Sequence, residues 1–131
     1  MDQTLGDREL DVLHVLWRDG DRTVAEVRDA LDADLAYTTV LTILRNLEAK
    51  GFVVHTVDGR AHRYAAAVDA TAVHEGALQR VLRSVFRGDA FAAIARLVAR
   101  ERLDADELRS LSALVDARLR ETRETRDGEV P

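Results

Sequence analysis

A change of period at Gly51 narrows the folds open to this chain more than any other feature. Before it, Val40, Ile43, Leu44 and Leu47 fall at i, i+3, i+4 and i+7, the stripe of a helix buried along one side. After it, residues 52–57 and 60–66 are rich in β-branched and aromatic side chains. They flank Asp58-Gly59, a strong signal for a two-residue hairpin turn. Gly51 suits the position just past a helix end, where a left-handed backbone costs glycine little. A helix over 36–50 therefore hands the chain directly to a two-stranded ribbon.

Two shorter helices precede it. Leu10, Leu13, Leu16 and Trp17 recur at helical spacing over residues 7–18, and Gly20 ends that segment. Thr23-Val-Ala-Glu26 is a capping box, in which the Thr hydroxyl and Glu carboxylate satisfy free backbone donors at a helix start. The helix it opens runs to about Asp32, with Val24, Val27 and Leu31 inward. Three helices followed at once by a hairpin is the order of a winged helix-turn-helix.

Beyond Ala67 the pattern is helical only. Segments 69–85 and 89–102 are separated by Gly88, and a last helix starts at Asp104, capped with Glu107. Its apolar face is wide for a terminal helix on a small protein, so it is expected to bury against a partner. From about Glu121 the tail is charged and is expected to fray. The predicted fold class is mainly α with a small β-hairpin wing. A winged helix-turn-helix domain over 1–67 is followed by a helical dimerisation domain over 68–131. The residues expected to join two copies are Val81, Leu82, Val85, Leu97, Leu108, Leu111, Val115 and Leu119.

The chain has 131 residues, 47% of them apolar and 33% charged, a globular balance. With no cysteine, disulfides, thiol nucleophiles and cysteinyl metal sites are excluded. No apolar run approaches a bilayer span, and the N-terminus lacks a signal-peptide layout, so a cytoplasmic protein is expected. Neither a nucleophile with its base nor a phosphate-binding glycine loop is visible, so no enzyme and no cofactor is expected. The net charge of −5 opposes DNA binding, yet its distribution is uneven. Residues 1–35 hold ten acids against four arginines, whereas residues 36–67 hold Arg45, Lys50, Arg60 and Arg63 against Glu48 and Asp58.

With one side of the third helix inward, the other presents Thr38, Thr39, Leu41, Thr42, Arg45 and Asn46. Threonine methyls suit the thymine methyl, Arg makes a forked bond to guanine, and Asn does so to adenine. Tyr37, just ahead, can donate its hydroxyl to a phosphate. In the wing, Arg60 beside the turn and Arg63 on the returning strand are placed to reach phosphates or the minor groove. His55 and His62 face each other if the turn is two residues long, but no carboxylate or cysteine completes a metal site. Trp17 reads as core, and His14 and His74 as structural or exposed.

These residues carry a resemblance. Glu9-Leu-Asp-Val-Leu-His-Val-Leu-Trp17, Thr23-Val-x-Glu-Val27, Leu35-Ala-Tyr-Thr-Thr-Val-Leu-Thr-Ile-Leu44, Leu47-x-x-Lys-Gly51 and Gly59-Arg-Ala-His-Arg-Tyr64 together resemble the penicillinase repressor (BlaI/MecI) family. The resemblance implies a homodimeric winged-helix repressor on inverted-repeat operators, often with TACA and TGTA half-sites, controlling β-lactam resistance or stress genes. It also implies release by a membrane sensor protease.

Three departures qualify it. Copper-responsive relatives carry a C-terminal cysteine motif that is absent here. Members commonly place Arg just before the position of Leu47, where this chain has Asn46, with Arg45 one residue earlier. The bond cleaved in well-studied members is Asn-Phe, and the matching pair here is Arg96-Leu97. Two other readings stay open. One is a winged-helix protein-interaction module without specific DNA binding, and the other is a repressor released by a small molecule between its C-terminal helices.

Overall fold

The computed structural model describes residues 4–128, and the chain divides into two compact units, Met1–Val81 and Leu82–Pro131. The first contains α1 (Asp7–Asp19), β1 (Arg22–Thr23), α2 (Val24–Ala30), α3 (Tyr37–Ala49), β2 (Val53–Asp58) and β3 (Ala61–Ala66). The division falls within α4 (Ala70–Ser84). The second unit contains α5 (Ala90–Arg100) and α6 (Ala105–Gly128).

The core of the first unit forms where α1, α2 and α3 turn their apolar sides together under the sheet. Val12, Leu13, Val27, Val40, Leu44 and Leu47 are fully buried there, with Val53 and Tyr64 from the strands. Each large apolar side chain so buried contributes about 1.5–3 kcal/mol. The inward side of α1 is rotated slightly from the expected one: Val12 and Val15 are buried, while Leu10 and Trp17 are half-buried. Trp17 packs at the core margin, and its indole N–H donates to the Val68 carbonyl at 2.9 Å, tying α1 to the chain beyond the sheet. His14 and His74 both lie edge-on to that ring, with centroids 5.3 and 6.0 Å from it.

The boundaries of α2 and the end of α3 have local causes. Thr23 Oγ1 accepts the Glu26 N–H at 3.2 Å and Glu26 accepts the Thr23 N–H at 2.9 Å, so the capping box is present. The helix it opens ends at Ala30, because Leu31 is extended. At the end of α3, Phe52 N–H bonds the Leu47 carbonyl and Gly51 N–H that of Glu48, with Gly51 at φ 88°. That pairing of bonds is a Schellman motif, which needs the left-handed residue the sequence supplies.

The sheet has three strands in the order β1-β3-β2, one more than expected. The extra strand is two residues long, Arg22 and Thr23 opposite Tyr64 and Arg63, too short to show a period. The hairpin turn also lies one residue later than expected. Asp58 pairs with Ala61, so Gly59 and Arg60 form the loop. Only Gly59 has a positive φ there, 63°, which matches a turn with glycine first and spares Asp58 a left-handed backbone. Consequently His55 lies opposite Tyr64 and His62 opposite Val57; the two imidazoles are diagonal neighbours rather than a facing pair.

In the second unit Asp89 caps α5 by accepting the Ala92 N–H, and Asp104 and Glu107 form the expected capping box. Helix α6 continues through the charged segment expected to fray, as far as Gly128; Glu129–Pro131 lie outside the described residues. Good helix formers with opposite charges three or four apart, such as Arg118 with Glu121 and Arg120 with Glu124, favour this continuation.

One ion pair staples the start of α1 to the end of α3. Lys50 Nζ lies 2.8 and 2.9 Å from the Glu9 carboxylate and 3.2 Å from the Thr4 carbonyl, and Glu9 also accepts the Gly6 N–H. Burial alone would raise the Glu9 pKa, but the Gly6 amide and the Lys50 ammonium outweigh it and hold the carboxyl below its ordinary value. A lowered folded-state value contributes stability above the unfolded pKa, about 4.3, that is lost as pH falls through the folded one. Glu9→Gln is expected to lower the melting temperature at pH 7 and to narrow the gap between pH 7 and pH 3 melts. Equal gaps in wild type and variant would contradict this.

Candidate nucleic-acid interface

The outward side of α3 is polar and open. Thr38, Thr39, Thr42, Arg45 and Asn46 are exposed, and Tyr37 at its first turn is 45% exposed. Leu41, expected on this side, is half-buried and packs against the core, so it is partly withdrawn from the outward face. The Thr42 hydroxyl donates to the Thr38 carbonyl at 2.9 Å, which leaves its methyl as the group facing outward. The side chains of Arg45 and Asn46 make no hydrogen bond or ion pair among the described residues, so a forked guanidinium and an amide stand uncommitted one residue apart. No side chain caps α3 at Ala36; the Thr39 N–H turns back to the Ala36 carbonyl at 3.1 Å, and the Tyr37 and Thr38 N–H groups are left for an anion.

Beside this face, the two wing arginines differ. Arg60 occupies the exposed hairpin turn with no partner among the described residues. Arg63 is 27% exposed and already engaged. It donates to the Asp21 carbonyl at 3.3 Å and lies 3.5 Å from the Asp21 and Glu26 carboxylates and 3.9 Å from Asp58. A phosphate would have to displace those acids. Arg63 also helps keep the Glu26 carboxyl below its ordinary value, after the larger effect of the Thr23 hydrogen bonds.

Sequence reasoning missed Glu48. Its carboxylate accepts the His55 backbone N–H at 3.1 Å and lies 2.6 Å from that residue's Nδ1, joining α3 to β2. His55 and His62 stack at 4.9 Å with planes 15° apart, which turns their faces, not their nitrogens, toward each other. Among the described residues no group of three His, Cys, Asp or Glu side chains could hold a metal. Burial, helped by the Glu48 charge and opposed by Arg45, pushes the Tyr64 phenol up.

The model of the penicillinase repressor family matches residues 5–117. This chain belongs to that family. The transcriptional regulator BlaI of two Mycobacterium tuberculosis strains is 52% identical over 64 residues, 47% of this chain and 46% of that protein. The match thus spans about half the length of these curated relatives. The solution structure of the DNA-binding domain of the repressor BlaI gives a TM-score of 0.49 at 27% identity, over 54% of this chain and 89% of that one. A MarR family protein from Bacillus stearothermophilus gives 0.52 at 16% identity over 93% of this chain and 78% of that one, a likeness of fold.

In this member of the penicillinase repressor family, the residues expected to join two copies are apolar and open to solvent. Val81, at the end of the first unit, is 45% exposed. In the second unit Val85, Leu97, Leu108, Leu111, Val115 and Leu119 are exposed and Leu82 is half-buried. Among the described side chains of α5 and α6 none is buried, and Phe91 is 82% exposed. The Arg96-Leu97 pair lies inside α5, so a protease that binds extended backbone must wait for that helix to open. Among the described residues no helix is long and apolar enough to cross a membrane.

Proposed function

We propose that this chain is a transcriptional repressor that binds inverted-repeat DNA as a homodimer. The face of α3 carrying Thr42, Arg45 and Asn46 reads base edges, and Arg60 of the wing contacts the phosphate backbone. The observation that carries this reading is the pair of uncommitted side chains, Arg45 and Asn46, on a helix whose opposite side is fully buried. A helix fixed from behind can present its outward groups to a groove without losing much side-chain order. The open apolar faces of α5 and α6 supply the second part, since a second copy would bury them. Two third helices would then meet successive major grooves about 34 Å apart.

The regulated genes in this proposal are β-lactam resistance or stress genes. Two schemes of release are proposed, cleavage at Arg96-Leu97 by a membrane sensor protease or a small molecule seated between the C-terminal helices; incubation of cells with inducer separates them, since only the first yields a shortened chain. The protein-interaction reading is favoured by the net charge of −5 and predicts no salt dependence of DNA binding.

The test is a titration of duplexes from the gene's own upstream region at several salt concentrations. Wild type is expected to prefer one inverted repeat, with affinity falling steeply as salt rises. Arg45→Ala should cost about 1–3 kcal/mol per half-site and blur discrimination at one base pair while leaving the fold intact. Uniform binding to every duplex, or an Arg45→Ala profile identical to wild type, would refute the assignment.

A further inference from the structure

Besides the pairing of β3 with β1 and the burial of Val53 and Tyr64, two polar side chains tie the hairpin to the rest of the first unit, and one tie starts on the proposed reading helix. Glu48 lies near the end of α3, on the turn that follows Arg45. Its Oε2 accepts the His55 backbone N–H at 3.1 Å, and its two oxygens lie 2.8 and 2.6 Å from His55 Nδ1. His55 belongs to β2, one of the two edge strands in the order β1-β3-β2, so the carboxylate closes a donor on an open edge of the sheet. Its ring is held in turn by the stack on His62 and by Tyr64, 5.5 Å away and fully buried. The second tie is Arg63, which joins β3 to Asp21, just before β1, and to Glu26 in the first turn of α2. With β2 fastened to α3 and β3 to α2, a swing of the wing would have to break one of these contacts.

We propose that Glu48 is a positioning residue for DNA binding: through His55 it fixes the angle at which the wing leaves α3. Arg60 thereby reaches the phosphate backbone while α3 occupies the groove. This role rests on the DNA-binding reading above. The sign of its effect is unusual. A carboxylate close to a polyanion ordinarily weakens binding, and its removal strengthens it. The positioning role predicts that removing Glu48 weakens binding.

The full chain carrying Glu48→Ala, Arg60→Ala or both, and a Glu48→Gln variant, would be titrated against the preferred duplex across a salt series. Melting curves would confirm that each variant is folded at the measuring temperature. Glu48→Ala is expected to lose about three- to tenfold in affinity and to flatten the salt slope as Arg60→Ala does, by about 0.9 for each phosphate that the wing no longer reaches. Arg60→Ala should then cost little more in the double variant, because the wing is already displaced. Glu48→Gln, which keeps an acceptor for the His55 amide, should recover most of the affinity. A purely structural role for Glu48 would leave the salt slope unchanged and the two effects additive, and that result would overturn the inference. So would tighter binding by Glu48→Ala. If wild type itself showed no salt dependence, the DNA-binding reading would fall first, on wild-type data alone.

Discussion

Leu44→Ala is expected to lower the unfolding free energy of the first unit by about 2–5 kcal/mol, because it empties a fully enclosed site that its surroundings cannot fill. The side chain is 0% exposed and sits on α3 within the cluster of Val12, Leu13, Val27, Val40 and Leu47. Against a total of about 5–15 kcal/mol for a domain, that loss is a large fraction. The melting midpoint should fall by about 10 °C or more. Arg45, the next residue along, is exposed, so Arg45→Ala should stay within about 0.5 kcal/mol of wild type in stability. The contrast separates the two sides of one helix. Thermal melts followed by circular dichroism would show it, and a Leu44→Ala variant melting with wild type would mean that α3 is not anchored as described.

The second large effect concerns α6. Leu111 and Val115 are four residues apart on one side of the helix, 37% and 57% exposed, among the apolar side chains that α6 leaves open to solvent. Contiguous apolar surface of this kind is uncommon on a monomer. In the proposed dimer both side chains face the second copy. Converting both to aspartate would place unpaired carboxylates against an apolar surface, at a cost of several kcal/mol. The doubly substituted chain is expected to sediment as a monomer at concentrations where wild type is dimeric. It should bind the inverted repeat about 10²–10⁴-fold more weakly, since the second half-site no longer adds to the first. A variant that remained dimeric would remove α6 from the interface.

Much of the fold was legible in the residues because helix and strand periods are local properties. The stripe of α3, the capping boxes at Thr23 and Asp104 and the left-handed stop at Gly51 each depend on neighbours within one or two turns. Where more than one local solution existed, the sequence misled. Asp58-Gly59 and Gly59-Arg60 are both acceptable loops, and the sheet selects the second, which changes every cross-strand partner. Strand β1 was invisible because two residues have no period, and its pairing is supplied by β3. Leu41 was assigned to the outward face by helical spacing alone, yet it is partly covered where it packs against the core.

Which residues point inward and which outward on most of α3, and the order of three helices followed by a hairpin, were settled by the amino-acid sequence alone. Only the tertiary structure decided which of the polar groups are at liberty. Arg60 and Arg63 look alike as letters three apart, but carboxylates reached through the fold hold the second and leave the first open. Lys50 finds Glu9 across 41 residues, and Glu48 finds His55 across a turn of chain and a change of element. Ion pairs and hydrogen bonds form between whatever atoms folding brings within about 3 Å. Separation along the chain carries no information about that distance once the chain has turned back on itself.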